Sequence, residues 1–177
     1  NTPVEIEIKD GKISGIKRIK RLQDEANAMI IAPGLIDNQV NGYMGYSFVN
    51  TGKELSLEGV KDLTNAFWEV GITTFLPTLT TNDYNIFLRN FEILAEAKED
   101  PATRGSIAGF HLEGPYISPV DGYRGAHPLI HVRKPDWEEF MELYRASGKN
   151  ILQVTLAPET EGAMDFISKC KELGIHV

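Results

Sequence analysis

The feature of this sequence that most constrains its fold is a regular alternation of short apolar runs with amphipathic stretches of helical periodicity. Apolar runs begin near residues 29, 72, 106, 151 and 175, roughly 25 to 45 residues apart. The intervening helices are predicted over about 56–70, 83–99, 136–146 and 161–173, with Ser56 as an N-cap. A helix between successive strands makes those strands parallel, so the pattern predicts right-handed βαβ units around a parallel sheet.

Two architectures fit this pattern, an open doubly wound sheet and a closed (β/α)₈ barrel. No G-x-G-x-x-G follows the first run, and the polar residues Gln39, Asn41 and Glu113 fall at strand ends, where such a barrel carries its active site. We therefore predict an α/β fold of the TIM-barrel type. A complete barrel needs about 250 residues, so this chain of 177 residues is expected to hold only about the first half.

The first 30 residues follow a different pattern. Val4, Ile6 and Ile8 alternate with charged residues, and Asp10-Gly11 then provides a turn before a second alternating stretch. This predicts a β-hairpin. Two strands cannot bury both of their faces, so residues 1–30 are interpreted as a piece of a small sheet completed by other residues. Residues 31–177 are assigned to the truncated barrel.

Composition excludes several classes of protein. A net charge of −7 and a pI near 5.1 argue against a nucleic-acid partner, which requires a basic face. No apolar run approaches the roughly 20 residues that cross a bilayer, and the first residues lack the apolar segment of a secretory leader. We expect a cytoplasmic protein without a membrane partner. The single cysteine, Cys170, leaves histidines and carboxylates as the candidate metal ligands.

Glu113 is the first candidate site residue. It shares one face of the third strand with His111, because side chains two residues apart on a strand point the same way. A buried carboxylate costs several kcal/mol unless it is paired or bound to a metal. A divalent metal and an ion pair with arginine or lysine both remain open from spacing alone. His111, deeper in the strand, is interpreted as a core histidine beside the site.

Two other segments contribute candidates. Gln39 and Asn41 end the first strand on one face, where their amides could hydrogen-bond a ligand, although Asn41-Gly42 could equally be a simple turn. The loop over residues 116–128 is longer than an ordinary βα connection and is predicted to bind or cover substrate, with Arg124 and His127 as donors. The alternative for Arg124 is a solvated surface charge. The threonines around the second strand are assigned a structural role.

Several blocks of sequence carry a resemblance that spacing cannot supply. In order along the chain they are APGLID at 32–37, QVNG at 39–42, GITTFLPT at 71–78, GFHLEGPY at 109–116, GAHP at 125–128 and VTLAPE at 154–159. Through these blocks the chain resembles the N-terminal half of the N-acetylglucosamine-6-phosphate deacetylase family, within the amidohydrolase superfamily. The HLEGP block together with QxNG is specific to that family.

The resemblance implies a metal-dependent hydrolase that converts N-acetylglucosamine 6-phosphate to glucosamine 6-phosphate and acetate. Glu113 matches a metal ligand, and Ala126 and His127 match positions that contact the amino-sugar phosphate. Gln39 and Asn41 stand where many amidohydrolases have His-x-His, which implies one principal metal. That metal is expected to be Zn²⁺, with Fe²⁺, Mn²⁺ or another divalent ion as alternatives.

The resemblance also implies residues that this sequence does not contain. Two histidine ligands and the catalytic aspartate are expected beyond Val177, so no catalytic residue is assigned here and the chain alone is predicted to be inactive. The hairpin is expected to belong to a small β-sandwich domain, and the full-length protein to form a homodimer.

Two other functions remain open. One is an amidohydrolase for a related substrate such as N-acetylgalactosamine 6-phosphate. The other is a non-catalytic α/β binding domain. Such a domain should be a stable monomer, whereas half a barrel leaves strand edges and apolar faces uncovered and should aggregate, dimerise or unfold.

Overall fold

The fold is described by a computed structural model that covers residues 2–21, 29–49 and 54–177. It divides into two compact units, Asn1–Pro33 and Gly34–Val177. None of the helices in the described ranges is both long and apolar enough to span a bilayer.

The first unit contains the predicted β-hairpin. Strands β1 (Val4–Lys9) and β2 (Lys12–Arg18) pair in antiparallel fashion. Asp10 and Gly11 both have positive φ angles, 52° and 71°, which is the conformation that a tight two-residue hairpin turn requires. The hairpin prediction is therefore confirmed.

The second unit alternates strands and helices as the sequence pattern predicts. In chain order its elements are β3 (Leu35–Val40), β4 (Gly42–Tyr43), β5 (Tyr46–Ser47), α1 (Leu57–Glu69), β6 (Ile72–Thr80), α2 (Tyr84–Glu99), β7 (Phe110–Glu113), α3 (Trp137–Ala146), β8 (Ile151–Thr155) and α4 (Ala163–Glu172). All four predicted helices are present. The short hairpin β4–β5 was not predicted.

The sheet is parallel, and its strands follow chain order. β3, β6, β7 and β8 are neighbours in that sequence. Beyond β8, Gln153 makes an isolated parallel bridge to His176, which lies in the apolar run predicted from residue 175. The α/β fold with a parallel sheet is confirmed. Within the described part of the chain the strand order follows the chain without a reversal.

Three helices begin at polar residues whose side chains accept hydrogen bonds from backbone N–H groups of the first turn. Ser56 accepts from Gly59 in α1, as predicted. Asp83 caps α2 and Asp136 caps α3 in the same way. These caps satisfy donors that the helix itself leaves unpaired, and they fix where each helix begins after its strand.

Two predicted strand starts are wrong. β3 begins at Leu35 rather than near residue 29, since Pro33 has no N–H for a ladder and the Leu35 N–H makes a hydrogen bond to the Gly71 carbonyl at 2.9 Å. β7 begins at Phe110 rather than at residue 106, although residues 106–108 already hydrogen-bond to Phe75 of β6. There, Gly109 packs so closely on Leu152 that a Cβ would lie 2.5 Å from its side chain, and the ladder shifts register at this point.

The helices form one layer on a single face of the sheet. α1 packs against α2, and α2 against α3, while Phe140 of α3 and Phe166 of α4 stack edge to face at 5.1 Å. The apolar core lies between this layer and the strands. Its largest fully buried aromatic side chains are Phe48, Phe75, Phe87, Phe91, Phe110, Tyr116, Phe140 and Phe166.

Cys170 lies in this core, as its place on α4 predicts. Its side chain is fully buried, and burial raises the pKa of the thiol to about 12. It acts as a small apolar residue and not as a nucleophile.

We expect Phe166→Ala to lower the free energy of unfolding by about 3 to 5 kcal/mol. Phe166 is 2% exposed and contacts the rings of Tyr116 and Trp137 as well as Phe140, so its removal leaves a cavity where α3, α4 and the sheet meet. Urea unfolding measures the change. Met164→Ala on the same helix is the control, since Met164 is 69% exposed. An equal effect of both substitutions would contradict this account of the core.

Candidate functional site

A cavity of about 690 Å³ opens at the carboxyl ends of the sheet strands. It is lined by Asn41, Thr80, Glu113, Ile117, Ser118, Tyr123, Arg124, Gly125, Ala126, His127, Pro128, Thr155, Leu156, Ala157 and Glu159. Four of the predicted site residues, Asn41, Glu113, Ala126 and His127, therefore share one cavity. Its volume is in the range of small-molecule sites.

Glu113 is placed in the cavity by the alternation of side chains along β7. Phe110 and Leu112 are fully buried in the apolar core. His111 and Glu113 occupy the other face, and Glu113 is the last residue of the strand. The carboxylate thus reaches the cavity, with its side chain 19% exposed.

The partners of Glu113 are neutral or weakly basic groups. The Gln39 amide donates to Oε2 at 2.9 Å, and His127 Nε2 lies 3.7 Å from Oε1. The ion pairs found among the described residues give this carboxylate no arginine or lysine partner. Among the described residues, Glu113 therefore does not form the structural ion pair with arginine or lysine that was the alternative to a metal. Gln39 holds one carboxylate oxygen and leaves the other directed at the cavity.

His127 is held in place by a residue of the neighbouring strand end. Its Nδ1 is hydrogen-bonded to the Thr81 hydroxyl at 2.8 Å, and its side chain is 17% exposed. The segment between this loop and α3 is anchored at Arg133, whose guanidinium donates to Glu139 and to the Asn82 carbonyl. These contacts fix the long loop over the cavity.

Arg124 is not a freely solvated charge. Its guanidinium pairs with Asp121 and donates to the Pro119 carbonyl at 3.0 Å, and the side chain is 19% exposed. These contacts lie within the loop. Arg124 also lines the cavity, with its charge paired to Asp121.

His111 is a core histidine, as its strand position predicts. It is 1% exposed and lies between two threonine hydroxyls, with Thr78 Oγ1 3.3 Å from Nδ1 and Thr155 Oγ1 2.8 Å from Nε2. Burial lowers its pKa to about 4. The ring is therefore neutral at physiological pH and supports the strands beneath Glu113.

Asn41 is interpreted from the sequence either as a ligand-binding amide or as part of a simple turn, and the structure shows features of both. Its carbonyl accepts the Phe48 N–H at 3.3 Å, and Gly42 directly begins the β4–β5 hairpin. The tight turn itself is made by Met44 and Gly45. Asn41 thus supports a local hairpin and still lines the cavity.

The amidohydrolase family profile matches residues 30–176. The chain belongs to the amidohydrolase family. The chain is 32% identical over 163 residues to one relative, the N-acetylglucosamine-6-phosphate deacetylase of Bos taurus. The match covers 91% of this chain and 39% of that protein. The chain therefore spans about two fifths of the length of the curated relatives it matches.

Solved structures agree with this assignment. A mutant of N-acetyl-D-glucosamine-6-phosphate deacetylase from Mycobacterium smegmatis, in complex with N-acetyl-D-glucosamine-6-phosphate, matches with a TM-score of 0.72 and 25% identity over 96% of this chain and 43% of that one. The N-acetylglucosamine-6-phosphate deacetylase of Pasteurella multocida matches with a TM-score of 0.77 over 97% of this chain and 44% of that one. At 24% identity the latter likeness concerns the fold alone.

Amidohydrolases generally depend on divalent metals, and the residues present supply only part of such a site. Within 2–21, 29–49 and 54–177, no group of three or more His, Cys, Asp and Glu side chains is placed to hold an ion. Glu113 fits as one ligand. His127 is the nearest second donor, but its Nε2 lies 3.7 Å from the carboxylate. A zinc centre usually needs three protein ligands, so this amidohydrolase chain offers an incomplete donor set.

Sequence reasoning missed the threonines of this site. Thr80 and Thr155 are the cross-strand neighbours of Glu113 and line the cavity, and Thr81 holds His127. Thr80 and Thr81 belong to the threonines around the second strand that are assigned a structural role from the sequence, because threonine favours β-structure, and Thr155 received no assignment. The position of Thr80 and Thr155 at the carboxyl ends of β6 and β8, level with Glu113, is the clue that could have found these two. Glu159, beyond β8, was missed as well.

We expect His111 to make folding less favourable as the pH falls. Its folded pKa of about 4 lies below the ordinary value of 6.5, so the unfolded chain takes up a proton first. The stabilisation is complete above pH 6.5 and is lost as the pH falls towards 4, by up to about 3 kcal/mol.

Urea unfolding of the metal-free protein between pH 4.5 and 7.5 tests this expectation. His111→Gln should flatten the dependence of stability on pH, while His176→Gln, which alters an exposed histidine, should not. Parallel curves for all three proteins would show that His111 does not titrate as described.

Proposed function

We propose that this chain is part of an enzyme that hydrolyses the acetamide of N-acetylglucosamine 6-phosphate, giving glucosamine 6-phosphate and acetate. The observation that carries the proposal is the strand-end cavity lined by Glu113 and His127, with Gln39 hydrogen-bonded to the Glu113 carboxylate, within a chain related to deacetylases of that name. Water adds to the amide carbonyl, the C–N bond breaks, and the nitrogen leaves as the amine.

Glu113 is proposed as a ligand of one principal divalent metal, with Zn²⁺ preferred and Fe²⁺ or Mn²⁺ as alternatives. Its position at the end of β7 and the hydrogen bond that it accepts from Gln39 support this role. In addition, no lysine or arginine among the described residues forms an ion pair with it. When bound, such a metal supplies Lewis acidity and lowers the pKa of a coordinated water.

His127 and Ala126 are proposed to contact the amino-sugar phosphate. Both line the cavity together with Glu113. The related enzyme of Mycobacterium smegmatis is seen with N-acetyl-D-glucosamine-6-phosphate bound. His127 presents Nε2 to the cavity, where it can hydrogen-bond an oxygen of this ligand.

The finer architecture is also a proposal. Sequential parallel strands with one layer of helices support a (β/α)₈ barrel with its site at the carboxyl ends of the strands. The hairpin of residues 4–18 is assigned to a small β-sandwich domain. We further propose that the full-length protein is a cytoplasmic homodimer and that its catalytic aspartate lies outside residues 1–177.

Acetate release from N-acetylglucosamine 6-phosphate tests the activity directly. With Zn²⁺ supplied, the full-length protein should turn over this substrate, and the 177-residue chain should not because its donor set is incomplete. N-acetylgalactosamine 6-phosphate serves as the epimer comparison. Turnover by the isolated chain would overturn the incomplete-site interpretation, and a full-length protein inactive on both sugars would overturn the proposed function.

Glu113→Gln in the full-length protein should lower both the bound metal and the rate of acetate release, by at least about a hundredfold for the rate. The amide keeps the shape of the side chain but loses its charge. Metal content is measured by mass spectrometry after gel filtration. Glu161→Gln removes an equally charged but 80% exposed carboxylate and is the matched control. Unchanged metal content in Glu113→Gln would exclude Glu113 as a ligand.

A further inference from the structure

Thr81 is a buried polar residue directly beside the candidate site. It follows the last residue of β6 and is only 2% exposed. Its hydroxyl is hydrogen-bonded to His127 Nδ1 at 2.8 Å, across 46 residues of sequence. A buried hydroxyl on a strand end and an imidazole on a distant loop thus form a specific pair at the cavity.

The backbone at Gly114 makes room for this pair. A Cβ on Gly114 would lie 2.1 Å from Thr81 Oγ1, a distance that real Cβ atoms do not reach. Gly114 immediately follows Glu113 and has a φ angle of 80°, which favours glycine. The residue after the carboxylate therefore allows the Thr81 hydroxyl to approach both the site and His127.

The surroundings of the two ring nitrogens favour one neutral tautomer of His127. A neutral imidazole carries one N–H and one lone pair. Nε2 faces the Glu113 carboxylate, 3.7 Å away, and a carboxylate oxygen accepts hydrogen bonds. The proton accordingly belongs on Nε2, which leaves the Nδ1 lone pair to accept the Thr81 O–H.

We propose that Thr81 is a positioning residue for substrate binding and turnover. Its hydroxyl donates to His127 Nδ1, which fixes the ring orientation and keeps an N–H on Nε2 directed into the cavity. The Nε2–H group of His127 then donates a hydrogen bond to an oxygen atom of the amino-sugar phosphate. The inference rests on the proposed function, because it assigns to His127 a contact with that substrate.

A purely structural role for Thr81 makes a different prediction. The chain just after the loop has a second anchor at Arg133, which donates hydrogen bonds to Glu139 and to the Asn82 carbonyl. If Thr81 served only to hold the loop, its hydroxyl would affect stability but not the activity of the folded enzyme. The two roles are therefore separable by kinetics.

The test uses three variants of the full-length, metal-loaded protein. Thr81→Val keeps the shape of the side chain and removes the hydroxyl, while Thr81→Ser retains the hydroxyl. Thr64→Val is the matched control, because Thr64 is also fully buried but its hydroxyl bonds to the Val60 carbonyl within α1. Steady-state kcat and KM for N-acetylglucosamine 6-phosphate and the melting temperature are measured for each.

We expect Thr81→Val to lower kcat/KM at least tenfold at a temperature where it is fully folded. Thr81→Ser should stay within about threefold of the wild type, and Thr64→Val should lose stability without losing activity. Imidazole ¹⁵N shifts of His127 provide an independent measurement: in wild type they should show an Nε2–H tautomer, and in Thr81→Val a mixture.

Two results would overturn the proposal. One is full activity of Thr81→Val in an enzyme whose wild type is active. The other is an Nδ1–H tautomer in the wild type, which would reverse the direction of the hydrogen bond. If the wild type itself releases no acetate, the proposed function fails, while the tautomer measurement still decides the hydrogen bond between Thr81 and His127.

Discussion

The hydrogen bond between Gln39 and Glu113 is the interaction on which the site depends. It joins the end of β3 to the end of β7 over the intervening β6, so it forms only when all three strands are in their observed register. A shift of one residue in β7 would direct Glu113 into the apolar core and Leu112 into the cavity. The packing of Phe110 and Leu112 beneath the helices therefore also determines where the carboxylate lies.

On the face of the sheet that carries Glu113, buried polar side chains of β6, β7 and β8 are hydrogen-bonded to one another. His111 is enclosed by the hydroxyls of Thr78 and Thr155, and burial lowers its pKa so that it remains uncharged. This arrangement supports Glu113 without placing a competing cation near it. Glu113 and His127 both line the cavity, and they are the pair on which the proposed chemistry relies.

Periodicity and capping residues made the helices and the parallel sheet predictable, because both depend on local sequence. Strand starts were less predictable: Pro33 and Gly109 end or shift a ladder in ways that depend on the neighbouring strand. Glu113 could be found from its place at a strand end. Thr81 could not, since its partner His127 comes from a distant loop and the hydrogen bond exists only in the folded chain. The substrate class came from resemblance, and no spacing in the sequence encodes it.

The buried Cys170 provides this fold with an internal reporter. It lies on α4 beside Phe166, and reagents reach its sulfur only after that helix has separated from its neighbours. Because the chain has a single cysteine, the rate of thiol labelling in native buffer measures how often α4 separates from the neighbouring helices and the sheet. Comparing that rate with global unfolding would show whether α4 opens as an independent unit or only together with the whole sheet.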